Sequence, residues 1–285
     1  MERRALNRHD EWPAPAKLNL FLHVTGRRSD GYHELQTLFR FLDHGDSLRF
    51  DVRSDGGIRR VSGPAEVPED QDLVVRAARL LQREAGVRAG VDIHLVKRLP
   101  CGGGVGGGSS DAATTLVALN HLWRAGFSRE RLRALGLQLG ADVPVFVFGR
   151  NAFAEGVGER LQAVDLPPAW YVVLTPPVHV ATAQVFAHAD LTRDSVPITL
   201  ATFFSGAVRN DLEGVVCSMH PEVAVALAWL SEFGPARMTG SGASVFCGFA
   251  TPEQAQAVWI RKPALWRGFV ARGLQEHPLL GLGDL

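Results

Sequence analysis

Apolar and polar positions alternate strictly over residues 16–24. Leu18, Leu20, Leu22 and Val24 fall on one side, and Lys17, Asn19, Phe21 and His23 on the other. A period of two predicts a strand with one buried face. Gly26-Arg27-Arg28-Ser29-Asp30-Gly31 ends it as a loop. Leu48, Phe50 and Val52 alternate again before the turn signal Ser54-Asp55-Gly56-Gly57, and Val91, Ile93 and Leu95 predict another half-buried strand. Residues 170–174 read as a strand as well. Elsewhere the spacing is helical. Apolar residues at 73, 74, 77, 80 and 81 predict a helix over 72–81, and Ala112, Leu116, Leu119 and Trp123 form the stripe of an amphipathic helix. Further helices are predicted over 128–139, stopped by Gly140, and over 221–230. Thr251-Pro252-Glu253-Gln254 is a capping box that starts one more. Residues 143–148 are a short apolar stretch, 153–158 read as extended, 187–209 mix short helix with loop, and 1–12 form a polar arm. Strands and helices mix without regular alternation, which predicts an α+β chain with sheets covered by helices.

The length, 285 residues, suits two domains. Pro167-Pro168 marks a joint, so the expected division is 1–165 and 166–285. Lys plus Arg and Asp plus Glu are both 30, a formal net charge of zero. That balance excludes a general nucleic-acid binder, and any anion must be held by local features. Three scattered cysteines, Cys101, Cys217 and Cys247, give neither a disulfide framework nor a zinc site, and are expected as small buried hydrophobes. No apolar leader opens the sequence and no run reaches a membrane span; a cytoplasmic protein with no membrane partner is expected.

The candidate chemistry starts at the six glycines between 102 and 108, which empty directly into the predicted helix at 112. Glycine allows positive φ and close backbone approach, and a helix N-terminus adds partial positive charge. With Ser109 and Ser110 as capping hydroxyls, this makes a phosphate cradle. No Gly-Lys-[Ser/Thr] follows, so it is not a Walker A loop. Nor does an acidic residue end a following strand at the spacing of a dinucleotide fold.

The stretch Pro100-x-x-x-Gly104-Val105-Gly106-Gly107-Gly108-Ser109-Ser110-Asp111-Ala112-Ala113 resembles the nucleotide loop of the GHMP small-molecule kinases. Pro15-Ala16-Lys17-Leu18-Asn19-Leu20, Gly31-Tyr32-His33-Glu34-Leu35 and Gly140-Ala141-Asp142-Val143-Pro144 extend the resemblance, which covers about 13–275. Cys101 and Val105 stand where the family often has Met and Leu, a mild departure. The resemblance implies a two-domain fold with a deep cleft between N- and C-terminal α/β sandwiches. It also implies an ATP-dependent kinase acting on a small-molecule alcohol, with Mg²⁺ carried by the nucleotide and no protein metal cluster. Phosphoryl transfer demands positioning, charge stabilisation and an oriented hydroxyl.

By the same resemblance, Asp142 takes or orients the hydroxyl proton, and Lys17 holds Asp142 ionised and stabilises the moving phosphoryl. Pro100, Cys101, Gly102, Gly103, Gly104, Val105, Gly106, Gly107, Gly108, Ser109 and Ser110 form the ATP loop. Asn19 lines the substrate cleft, Tyr32 and His33 recognise a cytosine, and Phe186 stacks from the other side. Gly240 and Ser241, in Thr239-Gly-Ser-Gly-Ala-Ser244, resemble the third family motif, which approaches the phosphates and substrate. Residues 210–213 resemble a family segment with a structural role. Other GHMP kinases, for homoserine, galactose or mevalonate, have no base to stack, so Gly31-Tyr32-His33 separates them. A non-catalytic nucleotide sensor on the same scaffold would lack Lys17 or Asp142. A monomer and a weak homodimer read alike.

Overall fold

A computed structural model describes residues 11–206 and 208–282. In chain order the elements are β1 (Trp12–Arg27), β2 (His33–Arg53), β3 (Ile58–Ser62), α1 (Leu73–Ala85), β4 (Gly90–Val96), α2 (Gly107–Leu122), α3 (Arg129–Leu137), α4 (Val143–Phe148), β5 (Ala152–Glu155) and β6 (Arg160–Ala163). Then come β7 (Trp170–Thr175), α5 (Thr182–Ala187), α6 (Leu200–Phe204), α7 (Glu213–Met219), α8 (Pro221–Ser231), β8 (Arg237–Met238), β9 (Val245–Phe249), α9 (Pro252–Trp259) and β10 (Arg267–Arg272). The first sheet runs β3-β4-β2-β5-β6, with β1 paired to β2; only β3–β4 is parallel. The second is antiparallel, in the order β10-β7-β9-β8.

Three cores hold these layers. Trp12, Phe41, Phe50, Ile93, Leu116 and Val145 pack α1, α2 and α4 on the first sheet. Val172, Leu174, Val216, Val223 and Val258 pack α7, α8 and α9 on the second. Leu18, Phe21, Leu38, Val173, Phe246 and Phe269 join the two sheets. The capping box of α9 forms as predicted, with the Gln254 N–H donating to Thr251 Oγ1 and the Gln254 side chain reaching back. Asp72 caps α1 in the same way by accepting from the Val74 N–H.

Several expectations change. Of the polar arm, residues 1–10 lie outside the described residues, while Trp12 opens β1 and is fully buried. β1 has no solvated face: every residue from 14 to 24 is buried. Its register on β2 shifts between Pro15 and Lys17, between Asn19 and Leu22, and again between Val24 and Gly26. Those irregularities re-aim side chains, so Leu18 serves the inter-sheet core while Leu22 and Val24 serve the second core. Only the end of β2 was visible as an alternating strand; the whole runs 21 residues. α2 is not amphipathic either. All residues from 110 to 119 are buried, because the helix lies on β1 and β2 and is flanked by α1, α3 and α4. The 143–148 stretch is helix α4.

Candidate active site

The glycine-rich loop meets a second glycine loop backbone to backbone. Gly104 has φ +76°, and a Cβ there would lie 2.3 Å from the Thr239 carbonyl oxygen. Gly240 has φ +56°, and its Cβ would lie 2.9 Å from the Gly104 oxygen. Neither position admits another side chain. The Ser244 N–H donates to the Gly103 carbonyl, at 3.2 Å, and closes the contact. Asn210 secures the second loop from behind, its amide donating to the Met238 and Gly240 carbonyls at 2.9 and 2.8 Å.

Gly106, not Ser109 or Ser110, is the N-cap of α2, with φ +76°. The first amide bonded within the helix is that of Ser110, to the Gly106 oxygen at 2.9 Å. The amides of residues 107–109 are thus left as donors at the positive end of a 16-residue helix. Ser109 lines the cleft, whereas the Ser110 hydroxyl is buried without a protein partner. Val105 is buried in the inter-sheet core and anchors the loop, its carbonyl accepting from the Lys17 N–H at 2.9 Å. The cysteine expectation holds only for buried Cys247. Cys217 is half-buried, and Cys101 is exposed, its thiol 3.7 Å from Glu66 Oε1. Under the helix start, Lys97 bridges two buried carboxylates, at 2.5 Å from Asp46 and 2.9 Å from Asp111. Burial opposes the Lys97 charge, but the two carboxylates push its pKa up to about 12. Burial and the Asp46 charge push Asp111 up.

Lys17 and Asp142 meet. Lys17 Nζ lies 3.1 Å from Asp142 Oδ2, with the lysine side chain 2% exposed and the aspartate 36%. The ammonium also donates to Asn19 Oδ1 and, at 3.1 Å, to the Gly104 carbonyl. The ammonium is thus held by one ion pair and two hydrogen bonds. The Phe39 ring lies 5.6 Å away. Asp142 precedes α4 with no capping bond from its side chain, which leaves the carboxylate free for Lys17. Close packing sets its approach: a Cβ on Gly136 would strike Val143 at 2.8 Å. Asn19 is tied on both sides, its N–H donating to Thr239 Oγ1 and its Nδ2 to Thr37 Oγ1, each at 2.9 Å.

Lys17, Asn19, Ser109, Asp142, Gly240 and Ser241 line one cavity of about 270 Å³. Tyr32 and His33 line a second, of about 590 Å³, which shares Leu35, Ala141, Val157, Thr182 and Phe186 with the first. One groove thus joins a charged end to an aromatic end. Tyr32 is 63% exposed at its rim. His33 and Phe186 stack on each other, with centroids 5.0 Å apart and planes at 28°. Burial, then the Arg193 and Arg27 charges, hold the His33 pKa below its ordinary value. His23 lines neither cavity; it is buried against Phe21, and burial lowers its pKa despite Asp211. Sequence reasoning missed Thr37 and Thr182. Thr37 follows Leu35 at the strand period on the cleft side of β2, a usable signal, but nothing local marked Thr182, whose hydroxyl lies 2.7 Å from that of Ser241.

Residues 72–150 match the model of the GHMP kinase N-terminal domain, and 200–260 that of the GHMP kinase C-terminal domain. A mevalonate kinase crystal structure shares the fold at TM-score 0.67 and 13% identity, over 94% of this chain and 99% of that one. Fold and site together define a GHMP kinase. Curated relatives narrow this. A 4-diphosphocytidyl-2-C-methyl-D-erythritol kinase of Aromatoleum aromaticum is 57% identical over 281 residues, covering 99% of both chains. One of Thiobacillus denitrificans is 60% identical over 268 residues, 94% of this chain and 96% of that protein. A crystal structure of a 4-(cytidine 5'-diphospho)-2C-methyl-D-erythritol kinase superposes at TM-score 0.81 with 38% identity, over 93% of this chain and 99% of that one. The chain belongs to the 4-diphosphocytidyl-2-C-methyl-D-erythritol kinase family of GHMP kinases.

Proposed function

We propose that the chain transfers the γ-phosphoryl group of ATP to the 2-hydroxyl of 4-diphosphocytidyl-2-C-methyl-D-erythritol, giving the 2-phosphate and ADP for non-mevalonate isoprenoid synthesis. The Lys17–Asp142 pair at 3.1 Å, set beside two interlocked glycine loops, carries this reading. Asp142 accepts the hydroxyl proton, and its partial exposure gives the substrate access to it. Lys17 pairs with that carboxylate at 3.1 Å and places positive charge where negative charge gathers on the phosphoryl oxygens.

ATP supplies the phosphoryl group, and the amides of residues 107–109 at the N-terminus of α2, beside Gly102, Gly103 and Gly104, fit its phosphates. Mg²⁺ arrives on those phosphates, with the Ser109 hydroxyl as the available side-chain oxygen. Tyr32, His33 and Phe186 take the cytosine at the far end of the groove, and Asn19, Gly240 and Ser241 hold the polyol diphosphate between. The continuous groove supports an elongated substrate with a base at one end and the reacting alcohol at the other.

The test is ADP formation with Mg-ATP and each of 4-diphosphocytidyl-2-C-methyl-D-erythritol, homoserine, mevalonate and galactose. ADP that depends on the cytidylyl substrate supports the reading. ADP formed only with another of these alcohols overturns it.

A further inference from the structure

Arg193 lies outside every segment that resembles a family motif, yet it is bound more fully than any residue around the groove. Its Nη2 donates to the carbonyls of Phe186, at 2.9 Å, and His188, at 2.7 Å. Its Nη1 donates to the Leu191 carbonyl at 3.1 Å, and its Nε to His33 Nε2 at 3.3 Å. No carboxylate pairs with it among the described residues. One guanidinium therefore holds the segment that carries Phe186 and also touches the ring that stacks on Phe186.

The last of these bonds has a chemical consequence. A guanidinium only donates, so His33 Nε2 must be the unprotonated, accepting nitrogen. A neutral ring then carries its proton on Nδ1. Burial and the Arg193 and Arg27 cations keep the ring neutral, while the nearby carboxylates Asp30 and Glu34 are engaged with Arg28. His33 thus lines the groove with its Nδ1–H as the remaining ring donor. Cytosine has an acceptor at N3, whereas uracil has an N–H there.

We propose that Arg193 is a positioning residue for base specificity: it fixes His33 as the Nδ1–H donor and sets Phe186 beside it, so that cytosine is accepted and uracil refused. The proposal rests on the cytosine reading above. It needs no contact between Arg193 and substrate, and Arg193 makes no bond to Lys17 or Asp142. A donor facing a donor in a part-buried site costs about 10- to 100-fold in affinity.

The test uses the full chain as wild type, Arg193→Lys and Arg193→Gln. Titration with cytidine 5'-diphosphate and uridine 5'-diphosphate measures discrimination, ¹⁵N NMR of the His33 ring reads its tautomer, and turnover assays separate kcat from KM. The expected results are cytidine preference and an Nδ1–H ring in wild type, at least a tenfold loss of that preference in Arg193→Gln, a mixed tautomer, a raised substrate KM, and kcat within about threefold. Arg193→Lys, which keeps the charge without the fork, falls between. If the glutamine variant fails to fold, the wild-type spectrum and the lysine variant still decide. Wild type that binds both nucleotides equally overturns the cytosine reading and this proposal with it. Wild-type discrimination that survives in the variants, or a wild-type ring protonated on Nε2, overturns the role of Arg193 alone.

Discussion

Replacing Lys17 by methionine keeps the aliphatic stem, which packs within 2.9 Å of any Cβ that Gly106 would carry, and removes only the ammonium. Three contacts go with it: the ion pair to Asp142 and the bonds to Asn19 Oδ1 and the Gly104 carbonyl. Asn19 Oδ1 and the Gly104 carbonyl are then left without this donor, at about 1–3 kcal/mol each if no water replaces it. The desolvation cost of the buried cation is relieved at the same time. The two effects oppose, so net destabilisation is about 1–3 kcal/mol, or a Tm drop of about 2–10 °C. Turnover is a separate matter. Loss of one preorganised positive group beside a developing phosphoryl charge costs about 10²–10³ in kcat, near 3–4 kcal/mol. The assay is steady-state ADP release at saturating substrates, with Tm measured by calorimetry on the same samples. A Lys17→Met protein whose kcat lies within tenfold of wild type refutes the role given to the lysine, because the Tm record excludes unfolding as the cause of any larger loss.

Other expectations follow from the same geometry. Gly104→Ala puts a methyl 2.3 Å from the Thr239 oxygen at φ +76°; it should raise the KM for ATP by roughly tenfold or more and lower Tm, by a cost of about 1–3 kcal/mol for the backbone alone. Asn210→Ala frees the Met238 and Gly240 carbonyls and should lower Tm by a few degrees, at about 1–3 kcal/mol. His277 is buried, and burial followed by the Arg129 charge lowers its pKa to about 3. The unfolded chain takes up that proton below about pH 6.5 while the folded chain does not. His277 therefore makes stability fall as pH drops from about 6.5 toward 3, and denaturant titrations of His277→Gln at pH 7 and pH 5 should show a smaller difference than wild type.

Much of this was legible in the chain, and the failures share a cause. β4, α1, α8 and the capped start of α9 each keep one solvated side or a local capping signal, so their period or cap survives in the residues. β1 and α2 show their periods, yet neither keeps the solvated face that those periods predict; the first half of β2, buried throughout 36–42, leaves no alternation to read. The loop at 102–108 announced an anion cradle through its glycines, yet which residue capped the helix depended on φ at Gly106, which composition does not carry. The partnership of Lys17 with Asp142 came from family resemblance and not from spacing, since 125 positions separate them and only the fold brings them to 3.1 Å. Thr182 and Arg193 sit in a stretch without period, and their value lies wholly in tertiary contacts.

Substrate-dependent ADP formation by Asp142→Asn, beside wild type with Mg-ATP and 4-diphosphocytidyl-2-C-methyl-D-erythritol, tests the central claim most directly. Asparagine preserves the shape of Asp142 and removes its capacity to take a proton, and Lys17 keeps its bonds to Asn19 and Gly104. The account predicts that kcat falls by about 10²–10⁴ while both KM values stay within a few-fold. Turnover within tenfold of wild type, or wild-type ADP release that is the same with and without the substrate, would contradict it.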